Sequence, residues 1–349
     1  MRFHETHDAE KKKRLKRTAG IVLAAVLFLL AGLCVFACIY PAETWKYYFS
    51  NPKIEKRNQG ELRIHFIDVG QGDCTLLELP DGRSMIIDGG NGSQKTELAV
   101  MRYLNALGID KPDFVLLTHP DSDHAGSLDA LLKHKGAKVV YLPKIEDRSI
   151  NAEYAEFCAR VEKSGAEKRV SHAGEVISSQ SAEYPYTLLF LSPKTSDNPD
   201  CEYNAVNDGE YDETDVNDCS AVVWLDYFGV SALFTGDAGK SVEEKLLAQA
   251  ALGVLKYPNA PAFELSSTEI LKVAHHGSAD STGLAFFGYL NVKTAVISCG
   301  KGNAYGHPHA DTLKNLERYG ASVCRTDVSG SVMITVSPDG KYNVTTQKE

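Results

Sequence analysis

Leu116–Gly126 reads LLTHPDSDHAG and sets His119, Asp121, Asp123 and His124 within six residues. Imidazoles and carboxylates this close together are donors that first-row divalent ions accept. A polar surface loop can carry the same residues, so the rest of the chain must decide. Three further apolar runs end on similar chemistry. SMII is followed by Asp88 and two glycines, ALFTG by Asp237, and LKVA by His275, His276, Gly277 and Ser278. A lone aspartate after a strand is usually a turn former or a helix cap. Four strand ends that each deliver a ligand type point instead to one preorganised centre, because buried strands are rigid supports. The HPDSDH loop can face two ways: His119 and Asp121 toward one ion, Asp123 and His124 toward a second, with Asp237 bridging both. Water held between two such ions has its pKa lowered to around 7, which gives hydroxide at neutral pH.

The elements that must hold these residues are legible as patterns. From Glu61 onward, β-branched apolar runs recur, among them RIHFIDV, CTLLEL, DFVLLT, SAVVWL and TAVIS. Helical patterns lie between them, several closing on glycine as a C-cap. In KTELAVMRYLNALG the spacing predicts one face formed by Leu98, Met101, Leu104 and Leu107. The mixture predicts an α/β body, with stacked sheets and helices outside, over residues 61–349. Residues 197–218 hold nine acidic side chains and little apolar patterning, which predicts a solvated acidic insertion.

Ala19–Tyr40 is a 22-residue run without charge. As a helix it extends about 33 Å, enough to cross a hydrocarbon core. Residues 1–17 carry seven basic and three acidic side chains; with a net charge of −9 for the chain, the remainder stands at −13. The expected order is a basic cytoplasmic tail (1–17), a membrane helix (18–40), a connector (41–60) and an extracytoplasmic body, with orientation from the positive-inside rule. A cleaved signal peptide is the rival, but the apolar run exceeds a usual signal core. An acidic body argues against gripping nucleic acid by bulk electrostatics. Of eight cysteines, none forms a CxxC pair, which excludes a zinc ribbon; most read as small buried apolar groups.

HFIDVGQGDCTLLELPDG, MIIDGG, LTHPDSDHAGSL, NDCSAVVWL, LFTGDAG, LKVAHHGSADS and SCGKGNAYGHPHADTLKNL occur in that order over about residues 62–336. In this they resemble the metallo-β-lactamase superfamily, and within it the ComEC-type branch found in competence DNA-uptake proteins. The resemblance implies a four-layer αββα sandwich with two divalent ions, zinc or manganese, at one edge of the sheets. It places His119, Asp121, Asp123, His124 and Asp237 at ligand positions, with Asp121 where the signature carries a second histidine. His275 or His276 matches the last histidine, and the choice stays open. Asn217 stands near a position that is usually histidine. Oxygen in place of nitrogen shifts preference from zinc toward manganese. Asp88 is expected to orient the loop from behind the ligands. Asp68, Gln71 and Asp73 are expected to line the same edge, with Lys272, Ser278, Asn303, Tyr305 and His307 as further candidates. His307 could protonate a leaving group or contact a phosphate.

Three functions follow from the resemblance. The first is a membrane-anchored phosphodiesterase or nuclease at a bacterial cell surface, with DNA or another phosphodiester as substrate and a separate channel protein as partner. The second is a carbonyl hydrolase acting on a lactone, thioester or lactam. The third is a metal-binding scaffold without turnover.

Overall fold

The computed structural model describes residues 2–40, 52–195, 197–198, 200–207 and 211–348. These divide into two compact units, one on each side of residue 50. The first unit is helix α1 (Arg2–Ile39), in which the basic tail and the apolar run form one continuous element. Its Glu10–Ile39 stretch is long and apolar enough to cross a membrane, a criterion that signal sequences also meet. Most of the connector expected over 41–60 lies outside the described residues.

The second unit is built on two sheets. The chain lays down β1 (Leu62–Phe66), β2 (Thr75–Glu78), β3 (Ser84–Ile87), β4 (Phe114–Leu116), β5 (Val139–Leu142) and β6 (Glu167–Val170). It then crosses to β7 (Val176–Ser178), β8 (Tyr186–Ser192), β9 (Val222–Tyr227), β10 (Val230–Phe234), β11 (Thr268–Lys272), β12 (Thr294–Ile297) and β13 (Ser322–Arg325). Finally β14 (Val332–Val336) and β15 (Tyr342–Thr346) return to the first sheet. The strand orders are β15-β14-β1-β2-β3-β4-β5-β6 and β13-β12-β11-β10-β9-β8-β7.

Three apolar clusters define four layers. Leu62, Ile64, Phe66, Leu116, Leu188, Phe190, Phe234 and Val296 meet between the sheets. The outer face of the first sheet is covered by α2 (Gln94–Ala106), α3 (Ser122–Ala125), α4 (Leu128–His134) and α5 (Ala152–Ser164), through residues such as Val100, Leu128, Leu131 and Phe157. The acidic segment supplies α6 (Glu202–Asn207) and α7 (Glu213–Asp218). On the second sheet, α8 (Lys240–Ala251), α9 (Leu284–Tyr289) and α10 (Ala310–Arg318) bury Val242, Leu246, Phe286, Phe287 and Leu316. Covering both outer faces makes many strands buried on both sides, which is why they read as apolar runs rather than strict alternation.

Three sequence expectations are corrected in detail. The buried stripe of α2 is Thr96, Val100, Tyr103 and Leu104, not the Leu98–Met101–Leu107 side. The helix is turned so that the Tyr103 hydroxyl meets Nδ1 of the fully buried His65 at 3.0 Å, while His65 Nε2 meets Glu78 Oε1 at 2.8 Å. Residues 52–60, taken as connector, lie on the body: Arg63 donates to the Glu55 and Lys56 carbonyls at 2.6 and 3.1 Å. The acidic segment is not simply solvated, since Tyr203, Val206 and Val216 are buried. Its residues 199 and 208–210 lie outside the described set.

Candidate metal centre

The centre forms where the C-terminal ends of parallel strands from both sheets meet. In the first sheet β3 and β4 pair in parallel and deliver Asp88 and the 117–126 loop. In the second, β10, β11 and β12 run parallel and deliver Asp237, Lys272 with His275 and His276, and Ser298. The DVGQGD turn after β1 closes over them. Gly72 lies against the HPDSDH loop so tightly that a Cβ there would fall 2.2 Å from the Asp123 carbonyl oxygen. The Asp73 amide donates to that same carbonyl at 3.1 Å.

His124 Nε2 lies 3.3 Å from Asp237 Oδ1, and His276 Nε2 lies 3.3 Å from Asp237 Oδ2. The two Nε2 atoms are 3.4 Å apart, and Asp123 Oδ2 is 3.2 Å from that of His276. Asp73, His124, Asp237 and His276 each offer a donor atom, all within 4.8 Å of one another and all buried. Beside this group, His119 Nε2 approaches Asp121 Oδ2 at 3.5 Å, and the His119 and His124 rings lie 4.1 Å apart. The remaining imidazole nitrogens are engaged from behind. His124 Nδ1 donates to Asp88 Oδ2 at 2.9 Å and His276 Nδ1 to the Ser298 carbonyl at 2.9 Å. That arrangement fixes the tautomer of a metal-binding histidine and turns Nε2 inward. Oδ1 of Asp73, Oδ1 of Asp237 and Nε2 of His119 are buried without hydrogen-bond partners. Buried polar atoms left unpaired are costly, and divalent ions would satisfy all three, so the donor set fits metal.

Backbone shape sorts the adjacent histidines. His275 and His276 both adopt left-handed conformations, φ 47° and 53°. The tight turn buries His276 and leaves His275 at the rim, with Nε2 3.8 Å from Asp237 Oδ2. Strain of this kind persists only where surrounding structure holds it. The turn is braced through Thr282, whose hydroxyl accepts from the Ala274 amide at 3.3 Å. Thr282 is itself held by buried Glu243 of α8, whose carboxylate accepts from the Thr282 and Gly283 amides at 2.6 and 2.7 Å. Burial pushes its pKa up to about 7 against those two bonds. Asp88, also left-handed at φ 61°, accepts from the Thr118 amide and hydroxyl as well as from His124.

The other candidates fall in distinct places. Lys272 is 2% exposed; its ammonium contacts Asp73, donates to the Gly236 carbonyl at 2.9 Å and stands 3.6 Å from Asp237. Asn217 is buried with Oδ1 unpartnered, and its carbonyl accepts from Ser220, whose hydroxyl accepts from the Asp237 amide. Gln71 accepts from the Gly300 amide through Oε1 at 3.2 Å. Asp68 points away, accepting from Gly70 and facing Lys348 at 3.8 Å. Ser278 caps its own turn, accepting from Asp280. Asn303 ties down the 300–307 loop, on which the Tyr305 and His307 rings stack at 5.7 Å. Burial and the neighbouring His276 and His275 push the His307 pKa down to about 4, so the resting imidazole is neutral at physiological pH. Sequence reasoning missed the Glu243 brace, and it took Asp73 as lining where the structure sets its carboxylate inside the donor cluster.

The model of the metallo-β-lactamase superfamily matches residues 67–301. This chain belongs to that superfamily. The metallo-β-lactamase body is a hydrolase fold with a buried Asp/His cluster suited to divalent metal. Its ComEC-type character is supported by curated relatives. ComE operon protein 3 of Bacillus subtilis is 32% identical over 287 residues, covering 78% of this chain and 33% of the relative. Recombination protein 2 of Haemophilus influenzae is 28% identical over 280 residues, covering 79% of this chain and 29% of the relative. Competence protein ComA of Neisseria gonorrhoeae is 26% identical over 322 residues, covering 91% and 38%. The chain thus spans about a third of the length of these relatives.

Charge in the metallo-β-lactamase centre makes metal uptake depend on pH. Burial lowers the pKa of His124 and His276, but facing carboxylates, Asp237 foremost, outweigh it and hold both well above the ordinary imidazole value. Burial raises Asp237, yet the two imidazoles hold it well below the ordinary carboxylate value. The carboxylates around the two imidazoles therefore favour their protonated forms until an ion competes. Ions bind only the neutral ring, so uptake expels those protons, and affinity climbs as pH rises toward the raised imidazole values. Calorimetric titration of metal into chelated protein, in two buffers of different ionisation enthalpy, should show proton release. Heats that do not depend on the buffer would mean the imidazoles start neutral.

Proposed function

We propose that this chain is a membrane-anchored, metal-dependent phosphodiesterase acting on nucleic acid. The observation that carries the reading is the buried cluster of Asp73, His124, Asp237 and His276, adjoining Asp123, His119 and Asp121, in a body similar to competence proteins. Competence is the uptake of DNA, which makes a phosphodiester the matching substrate. Asp73, Asp123, His124, Asp237 and His276 would supply the donors for one ion, and His119, Asp121 and Asp237 those for the other. Bound divalent ions supply Lewis acidity that activates water near neutral pH and offsets charge gathering on the phosphoryl oxygens. The chain's own residues do the rest. Asp88 fixes the His124 tautomer, Glu243 holds the histidine turn, and Lys272 offsets part of the acid excess from within the fold. The oxygen-rich His119–Asp121 pair favours manganese over zinc. His307, neutral at rest, is suited to accept a hydrogen bond at the rim.

The α1 helix is the proposed single-pass anchor, with residues 1–17 cytoplasmic and the body outside the cell, following the positive-inside rule. A separate channel protein is the proposed partner.

Full-length protein in detergent, loaded with manganese or zinc, should hydrolyse a DNA oligonucleotide and leave a lactone, a thioester and a lactam intact. Manganese should support the faster rate. Turnover of a carbonyl substrate alone would make the body a carbonyl hydrolase, and turnover of none would make it a scaffold.

A further inference from the structure

We infer that Tyr305 is a stacking platform for a base of single-stranded nucleic acid, and that it sets the preference of the centre for substrates bearing bases. The inference rests on the phosphodiesterase reading.

Among described aromatic residues of the body, the Tyr305 ring is the most exposed, at 64%; Tyr319 and Phe228 follow at 47% and 39%. One face of the ring is already used. It stacks on His307 with centroids 5.7 Å apart and planes at 19°, and His307 in turn lies 5.4 Å from the His275 ring and 6.1 Å from that of His276. A row of rings thus runs from the candidate ligands out to solvent and ends on an open aromatic surface. Offset stacking at these distances is favourable, and a base laid on Tyr305 continues it.

The platform is held in place. Asn303 Nδ2 donates to the Gly300 and His307 carbonyls at 2.9 and 2.6 Å, and its Oδ1 accepts from the His307 amide at 3.0 Å. Gly300 is anchored to Gln71 so closely that a Cβ there would fall 2.6 Å from the Gln71 nitrogen. An exposed ring on a braced loop loses little freedom when a ligand covers it, which is the condition for tight stacking. Lys301 is exposed on the same loop and can meet a backbone phosphate.

Electrostatics makes such a contact necessary. With −13 on everything after residue 17, the body repels a polyanion. Binding then has to come from the metals, a local cation and base stacking. Stacking contributes about 5- to 150-fold per base and tolerates any sequence, because every base has a π face. A duplex keeps its bases stacked on each other, so the platform selects single strands.

The test uses full-length manganese-loaded protein with two oligomers of equal length: oligothymidylate and an abasic deoxyribose-phosphate chain. Fluorescence anisotropy reads affinity and product analysis reads cleavage. Wild type should bind oligothymidylate about tenfold tighter than the abasic chain. Tyr305→Ala should bring that ratio near one, raising KM for oligothymidylate, and Tyr305→Phe should restore it. Equal affinities in the wild type, or an unchanged ratio in Tyr305→Ala, would overturn the platform. Cleavage of both oligomers without base preference removes the platform and leaves the phosphodiesterase. Tyr305-dependent binding without cleavage does the reverse.

Discussion

Asp237→Asn should cut phosphodiester turnover by about a thousandfold or more. Asp237 is buried with its two oxygens facing the inward Nε2 atoms of two different imidazoles, Oδ1 toward His124 and Oδ2 toward His276, each at 3.3 Å. An amide keeps the shape and removes the charge, so the lost quantity is ion binding. Metal activation supplies several kcal/mol of transition-state stabilisation, and each 1.4 kcal/mol is about tenfold in rate. A second readout separates ion loss from misfolding. Manganese should raise the unfolding temperature of the wild type, because it binds the folded chain alone. It should leave that of Asp237→Asn where it was. A variant that keeps both its turnover and its metal-induced shift would remove Asp237 from the ion-binding set.

Gly126→Ala should have the largest effect on stability. The residue has ordinary helical angles, φ −55° and ψ −45°, so nothing about its backbone demands glycine. Space does. An added Cβ would lie 2.1 Å from the Gly92 nitrogen and 2.4 Å from the Asn91 carbonyl carbon, both backbone atoms. Overpacking usually costs about 1–3 kcal/mol, and more where the neighbours cannot yield. We expect at least about 3 kcal/mol, or no soluble protein. The overlap also prises the 89–92 segment from the histidine loop, where the Gly89 amide donates to the His124 carbonyl at 2.7 Å. Gly253→Ala is the matched control. Its φ is +66° with no atom within 4 Å of the added carbon, so only the left-handed backbone is penalised, at about 1–2 kcal/mol. Urea unfolding of the two variants checks the order; equal midpoints would show that the 92–126 contact relaxes freely.

How much of this was legible in sequence depends on how local each feature is. The HPDSDH loop and Asp237 were readable because ligand types directly follow apolar strands, and strand ends are written in consecutive residues. The four layers were readable in outline from alternating patterns and from the order of the motifs. The return of β14 and β15 beside β1 was not, since pairing between residues 62–66 and 332–336 leaves no local mark. His275 and His276 are chemically identical neighbours, and only the left-handed turn decides which one is buried. Asp73 looked like lining because its direction is set by contact with Asp123, fifty residues later. Glu243 sits in a helix rich in charged residues, where a glutamate normally faces water. The acidic segment hid its packing because Tyr203, Val206 and Val216 are too few to make a period.

Asp73, Asp88 and the histidine loop hang from the first sheet, while Asp237, Lys272 and His276 hang from the second. Neither half of the polypeptide can therefore assemble the donors by itself. A growing chain remains without its ions until His276 has been made and the two halves have docked. The identity of the ion is then decided by what the compartment in which the two halves dock has to offer.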